Sequence, residues 1–348
     1  YDDTTATVMG MATGYSLDVY RKFVGSLRRS GFRGHIILGV APDISSSAKM
    51  YLQSRKVTMK PLSYTNCTYE PVLDTKQKQN PHTREMLTCA YPYPDIKIRW
   101  SRFPLQRDWL LECLTCTGPV LTIDVRDTVF QGNPFGEGLH SVQGLQIFEE
   151  SPHRKTTHWL VEGPLRKCKG VRYDEVMLCS GSTIGTRAAM IDYFEKMYDE
   201  MKHWISDPKC RFAMNGDDQT IHNYLFYSGK FGPMARAIPN RYGIVHTVGV
   251  DCAHILENHK SKLVSQGHER SDGNWVTYPG AHGKNWLGNV SWVHQKEQGR
   301  DFTISYNITN ADGFVINADN TISRVVHQYD RCGFQMTRWL ENQYFYQE

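Results

Sequence analysis

At its start the chain alternates short apolar runs with helix-period segments, and no other feature restricts its fold as much. Ala6-Thr7-Val8-Met9-Gly10-Met11 is an almost continuous apolar run, the pattern of a strand covered on both faces. Residues 17 to 27 follow with apolar side chains at helical spacing. Gly31 and Gly34 then punctuate, and His35-Ile36-Ile37-Leu38-Gly39-Val40 reads as a second buried strand. A further helix is expected around 45 to 55, leading to Val57-Thr58-Met59. Strands separated by helices of this length predict βαβ units, a mainly parallel central sheet and an α/β fold class. Residues 63 to 95, rich in Pro, Tyr, Lys and Gln, read as an irregular insertion in a single domain spanning 1–348, with Cys67 and Cys89 as candidates to pin it.

Bulk properties narrow the function classes. Hydrophobic residues make up 40% of the 348 positions and aromatics 12%, ample for a packed core. The formal charge of +4 is small against 76 charged residues (40 Lys and Arg, 36 Asp and Glu). No basic run exceeds Arg28-Arg29 or Arg166-Lys167, so a nucleic-acid groove is not expected. No stretch reaches the roughly 18 to 20 apolar residues of a membrane helix. Because the chain opens at Tyr1, the expectation is a signal or anchor ahead of it, the only membrane contact foreseen.

Nine cysteines (67, 89, 113, 116, 168, 179, 210, 252 and 332) accompany three glycosylation sequons beginning at Asn66, Asn289 and Asn307. Together they favour the secretory pathway, where disulfides persist. The odd count leaves at least one thiol free or paired outside the chain. Cys113-Leu-Thr-Cys116 raises zinc or redox chemistry, yet no second CxxC and no paired His nearby in sequence completes a metal site.

The chemistry-bearing centre begins near Lys97. Residues 98 to 111 suggest a helix with an inward apolar side, and Gly118-Pro119-Val120-Leu121-Thr122-Ile123 is an apolar strand. It ends in Asp124-Val125-Arg126-Asp127. Carboxylates at the carboxyl end of a parallel strand stand where open α/β sheets bind ligands, and they are hard oxygen donors suited to Mn²⁺ or Mg²⁺. The plainer reading is a strand-end turn with a local Asp–Arg ion pair. Downstream lie Leu145-Gln146-Ile147-Phe148 as a strand and the Ser/Gly-containing segment 178 to 186. A long helix to about Trp204 follows, then Gly216-Asp217-Asp218-Gln219, which opens another helix.

In this order the motifs resemble the nucleotide-sugar glycosyltransferases of GT-A fold. The Asp-Gln-x-x-x-Asn spacing at 218, 219 and 223 is similar to that of glycogenin-related retaining transferases. The chain departs from the pattern in having Asp-x-x-Asp rather than Asp-x-Asp. It also lacks a full His-Gly-Lys-Pro-Trp signature, to which Ala281-His282-Gly283-Lys284-Asn285-Trp286 is faintly similar. The resemblance covers roughly residues 6 to 331. It implies a GT-A (Rossmann-like) fold, a divalent ion, a nucleotide-sugar donor and a glycan or glycoprotein acceptor, in the Golgi lumen. It further implies His327 as a metal ligand beside Asp124 and Asp127, with His246 and His282 as competitors. Arg102, Asp124, Arg126 and Lys284 are expected to contact the donor, and Asp218 or Asp217 to be the carboxylate at the anomeric carbon. For the two aspartates a helix N-cap is the plainer role.

Other classes fit less well. A phosphotransferase or nucleotidyltransferase would use similar acids but usually carries a Gly-rich phosphate loop, and no GxxxxGK[ST] occurs. A Ser-His-Asp hydrolase would favour G-x-S-x-G, also missing. A carbohydrate-binding module would need neither the acidic strand end nor the Asp-Gln helix start.

Overall fold

A computed structural model of the chain describes residues 3–69, 88–136, 142–152, 154–211, 218–250, 310 and 314–331. Strand β1 (Thr7–Ala12) runs between β2 (His35–Val40) and β6 (Val120–Ile123), parallel to both, and β3 (Val57–Pro61) adds beside β2. Beyond β6 the order continues with β9 (Leu178–Gly185), β8 (Leu145–Glu149) and β10 (Ala235–Ile238). Only β9 opposes the common direction of this seven-stranded sheet. The fold is α/β with a mainly parallel sheet, compatible with a Rossmann-like arrangement.

Both faces are covered, which explains why the strands read as unbroken apolar runs. Val8, Ile36 and Leu38 face a core built with Phe23, Leu27 and Leu52. These come from helix α1, residues 17–29 with a π-helical turn at Arg21–Gly25, and from α2 (Ser46–Ser54). Met9 and Ile37, one residue along, face the opposite core of Trp109, Leu110, Phe194, Met197 and Leu225. Those belong to α3 (Arg102–Glu112), α5 (Arg187–Ser206) and α6 (Asp218–Tyr227); α4 (Trp159–Lys169) packs beside α6.

α3 begins four residues later than its apolar pattern suggests. Lys97 to Ser101 form turns instead, with the Trp100 and Ser101 amides both donating to the Lys97 carbonyl. Pro104 supplies the reason: it has no N–H to give the Trp100 carbonyl, so an earlier start would break the ladder.

Two smaller sheets accompany it among the described residues. β4 (Tyr64–Asn66) and β5 (Thr88–Ala90) form an antiparallel pair closed by the Cys67–Cys89 disulfide, outside the central sheet. β7 (Thr128–Phe130), β12 (Val325–His327) and β11 (Val245–Thr247) form a second sheet, with β12 central. Cys113–Cys116 and Cys168–Cys210 are also disulfides, and Cys179 is a free buried thiol. Cys252 and Cys332 lie outside the described residues, as do the sequons at Asn289 and Asn307; Asn66 is exposed. Three disulfides fit an extracellular or secretory location. Among the described residues no helix is long and apolar enough to cross a membrane.

Candidate active site

Strand order reverses at β1: β2 and β3 lie to one side, β6 to the other. At such a switch point the loops leaving the two central strands diverge and open a crevice at their carboxyl ends. A cleft of about 530 Å³ occupies that position, lined among others by Tyr15, Arg99, Arg102, Arg126, Asp218 and Gln219. Gly10 lets the two loops come close. A Cβ there would lie 2.5 Å from Val125 Cγ2 and 2.7 Å from the Ile123 carbonyl, so only glycine lets the turn after β6 lie across β1.

That turn is the acidic element. The Asp124 amide donates to the Gly181 carbonyl at 2.8 Å, tying β6 to β9, while Val125 turns into the core. Asp124 and Asp127 both line the cleft. β12 brings the third member, since it pairs antiparallel with β7 and sets His327 opposite Thr128. The Gln328 amide then donates to the Asp127 carbonyl at 2.7 Å, and Gln328 sits at φ 60°. A left-handed non-glycine residue is a costly conformation, and it stands directly after the histidine.

His327 Nε2 lies 3.8 Å from Asp124 Oδ2 and 3.8 Å from Asp127 Oδ1. One donor atom from each residue falls within 4.8 Å of the others. His327 is wholly buried, and among the described residues its Nε2 has no partner at hydrogen-bond distance, the two carboxylates being its nearest charged neighbours. Its Nδ1 is held 3.5 Å from Thr247 Oγ1 and 3.7 Å from Cys179 Sγ. An unpartnered imidazole nitrogen facing two carboxylates is a donor set of the kind Mn²⁺ accepts. Gly181 closes the cradle: a Cβ there would fall 2.5 Å from Asp124 Oδ2 and 2.8 Å from His327 Cε1. The residues present therefore fit a divalent ion.

The electrostatics agree. Burial pushes the Asp124 carboxyl up, but the Arg102 charge and then His327 outweigh it and hold the group at about 2. Burial pushes His327 down, yet Cys179, Asp124 and Asp127 around it raise it well above the ordinary histidine value. A proton and a divalent cation thus compete for one acidic pocket.

Arg102, the first residue of α3, links this cluster to α6. Its Nη1 lies 2.7 Å from Asp124 Oδ1, while Nη2 lies 2.5 Å from Asp218 Oδ2 and donates to the Ser180 carbonyl at 2.9 Å. Asp218 opens α6, is buried, and also accepts from Ser180 Oγ at 3.2 Å. The i, i+4 spacing of Gln219 and Asn223 has a structural cause. Asn223 Oδ1 accepts from the Leu178 amide and its Nδ2 donates to the Leu178 carbonyl, both at 2.9 Å. The side chain imitates a neighbouring strand, locks α6 to β9 and leaves Asp218 and Gln219 at the cleft.

Of the expected site residues, the structure brings together Asp124, Asp127, His327, Arg102, Arg126 and Asp218. Arg126 lines the cleft half-exposed, with Nη2 3.0 Å from Asp330 Oδ2 and 4.0 Å from Asp127 Oδ2. The local Asp–Arg pairing of the plainer reading thus coexists with the Asp124–Asp127–His327 cluster. His246 stands apart, wholly buried with Nδ1 3.3 Å from Ser323 Oγ. Asp217, His282 and Lys284 lie outside the described residues. Sequence reasoning missed Tyr15 and Arg99. Tyr15 follows β1 at the switch point, and its hydroxyl is raised by burial and then by Asp124. The position of its loop, directly after the first strand, was the available signal.

Compared with known protein families and with curated proteins, the chain matches none.

Proposed function

We propose that the chain is a glycosyltransferase of GT-A type that moves a sugar from a nucleotide-diphosphate donor to a glycan or glycoprotein acceptor, with Mn²⁺ or Mg²⁺ as cofactor. The observation that carries this reading is the orphaned Nε2 of His327 facing Asp124 and Asp127 at the carboxyl end of β6. A divalent ion there would offset the charge of a leaving diphosphate. Asp124, Asp127 and His327 would hold it. Arg126, half-exposed at the same wall, adds positive charge toward the donor phosphates.

Transfer breaks the bond between the anomeric carbon and the diphosphate oxygen and forms one to an acceptor hydroxyl, whose proton must leave. Asp218 is the described carboxylate beside the cluster best placed for that region, held 2.5 Å from Arg102 Nη2. It serves as proton acceptor or as stabiliser of an oxocarbenium-like state. The Golgi lumen is the compartment we assign to this activity.

The test is release of nucleoside diphosphate from a panel of nucleotide sugars with Mn²⁺ present. Asp127→Ala should abolish both release and Mn²⁺-dependent thermal stabilisation. Asp218→Asn keeps size and the Ser180 contact; its rate should fall by orders of magnitude with donor affinity nearly unchanged, the pattern of a transition-state interaction. Retained activity in both Asp127→Ala and His327→Ala would sink the reading.

A further inference from the structure

A second convergence of metal-ligating side chains lies away from the cleft. Cys113 and Cys116 sit where α3 ends, and His35 is the first residue of β2. One donor atom from each of the three falls within 4.8 Å of the others. The cleft is at the carboxyl ends of the parallel strands, whereas His35 is at the amino end of β2, level with Thr7 and Val120. The six residues of β1 separate the two edges by about 20 Å. The histidine absent from the sequence neighbourhood of the CxxC is supplied by the sheet.

We propose that the reduced Cys113–Cys116 pair, with His35, is a Cys₂His site for Zn²⁺ or a similarly soft divalent ion, and that the disulfide is its closed form. The backbone holds the two sulfurs together independently of their bond. The Cys116 amide donates to the Cys113 carbonyl at 3.3 Å in a turn, and the Cys113 amide continues α3 by donating to Trp109 at 3.2 Å. Cys116 is buried in the core, while Cys113 and His35 are partly exposed and give access. Two cysteines at C-x₂-C spacing and an imidazole are a recurrent zinc donor set, with a fourth position left for water. The chemistry balances with a thiol reductant of the surroundings. Two such thiols are oxidised to their own disulfide, and the Cys113–Cys116 bond becomes two thiols. Metal binding then displaces their two protons to solvent and adds the lone pair of neutral His35.

The test uses the full chain, reduced with a phosphine and titrated anaerobically with Co²⁺ and then Zn²⁺. Expected is a thiolate-to-cobalt charge-transfer band at one ion per chain, absent from the oxidised protein and erased by Zn²⁺. Cys113→Ser should abolish it, whereas Cys179→Ser, at the other thiol beside a histidine, should leave it. His35→Ala should weaken Zn²⁺ binding at least about tenfold, with His35→Gln as a second variant should the first fold poorly. No band in the reduced protein overturns the proposal. So does a band that survives Cys113→Ser, or Zn²⁺ affinity unaltered in both His35 variants.

Discussion

Replacing Gly181 by alanine separates a built cation site from a chance cluster of acids. The added methyl would sit 2.5 Å from Asp124 Oδ2 and 2.8 Å from His327 Cε1. Comfortable carbon contacts begin at about 3.5 Å, so the imidazole must retreat by about 0.7 Å. Metal–ligand distances tolerate only about 0.2 Å. The variant should therefore lose Mn²⁺ affinity by on the order of tenfold or more, beside an overpacking cost of about 1–3 kcal/mol. Calorimetric titration reads the first and denaturant unfolding the second. Gly185→Ala is the matched control, because its Cβ would crowd the Gly144 carbonyl at 2.9 Å and Met190 Cγ at 3.2 Å. It should lose stability and keep its metal. Mn²⁺ binding within twofold of the parent in folded Gly181→Ala would refute the cradle.

Asn223→Ala should cost about 2–5 kcal/mol in urea unfolding, since it strands a buried amide and a buried carbonyl at Leu178; a loss under 1 kcal/mol would contradict the strand-mimic role. Burial holds His222 and His246 neutral, pushed from 6.5 to about 3. The unfolded chain takes up their protons first, so the stability they contribute is present above pH 6.5 and lost as pH falls below it. The slope is up to about 1.4 kcal/mol per pH unit for each. His327, raised, acts in the other direction above 6.5, and Asp124 only below 3.8; between those values His158, lowered by burial, adds in the same direction, so the two buried histidines are read by difference from their replacements. Replacing either with a non-titrating residue should flatten the curve, and a curve unchanged by both replacements would refute the assignment. Non-reducing peptide mapping should return the 67–89, 113–116 and 168–210 pairs, with Cys179 alkylated only after unfolding; a paired Cys179 would contradict the structure.

The parallel core was legible because strands covered on both faces have nowhere to place polar residues, as Ile36-Ile37-Leu38 illustrates. The acidic element was legible as a strand end. β9 was not legible as a strand. Its Ser and Gly residues interrupt the β signal of Thr183 and Ile184, and their burial follows from crowding between β6 and β8, which no local pattern records. The pairing of Cys67 with Cys89 followed its flanking positions, but His35 meeting the CxxC depended on strand register alone. Arg102 was expected at the donor, and its ties to Asp124 and Asp218 could not be read from a residue type that usually ends in solvent.

The pairing of β12 with β7 has a consequence for the order in which the molecule matures. Thr128 and His327 are register partners far apart along the chain. Closing so long a loop adds little to the equilibrium cost, since each doubling of length costs only about 0.6 kcal/mol, but such contacts form late. During synthesis the central sheet, Asp124, Asp127 and Arg102 all emerge before the segment that carries the histidine. A nascent or truncated chain can thus own a folded core and still lack the Asp124–Asp127–His327 site. Binding of the proposed ion at Asp124, Asp127 and His327 would then report that the segment carrying His327 has docked, which makes it a direct assay of finished folding.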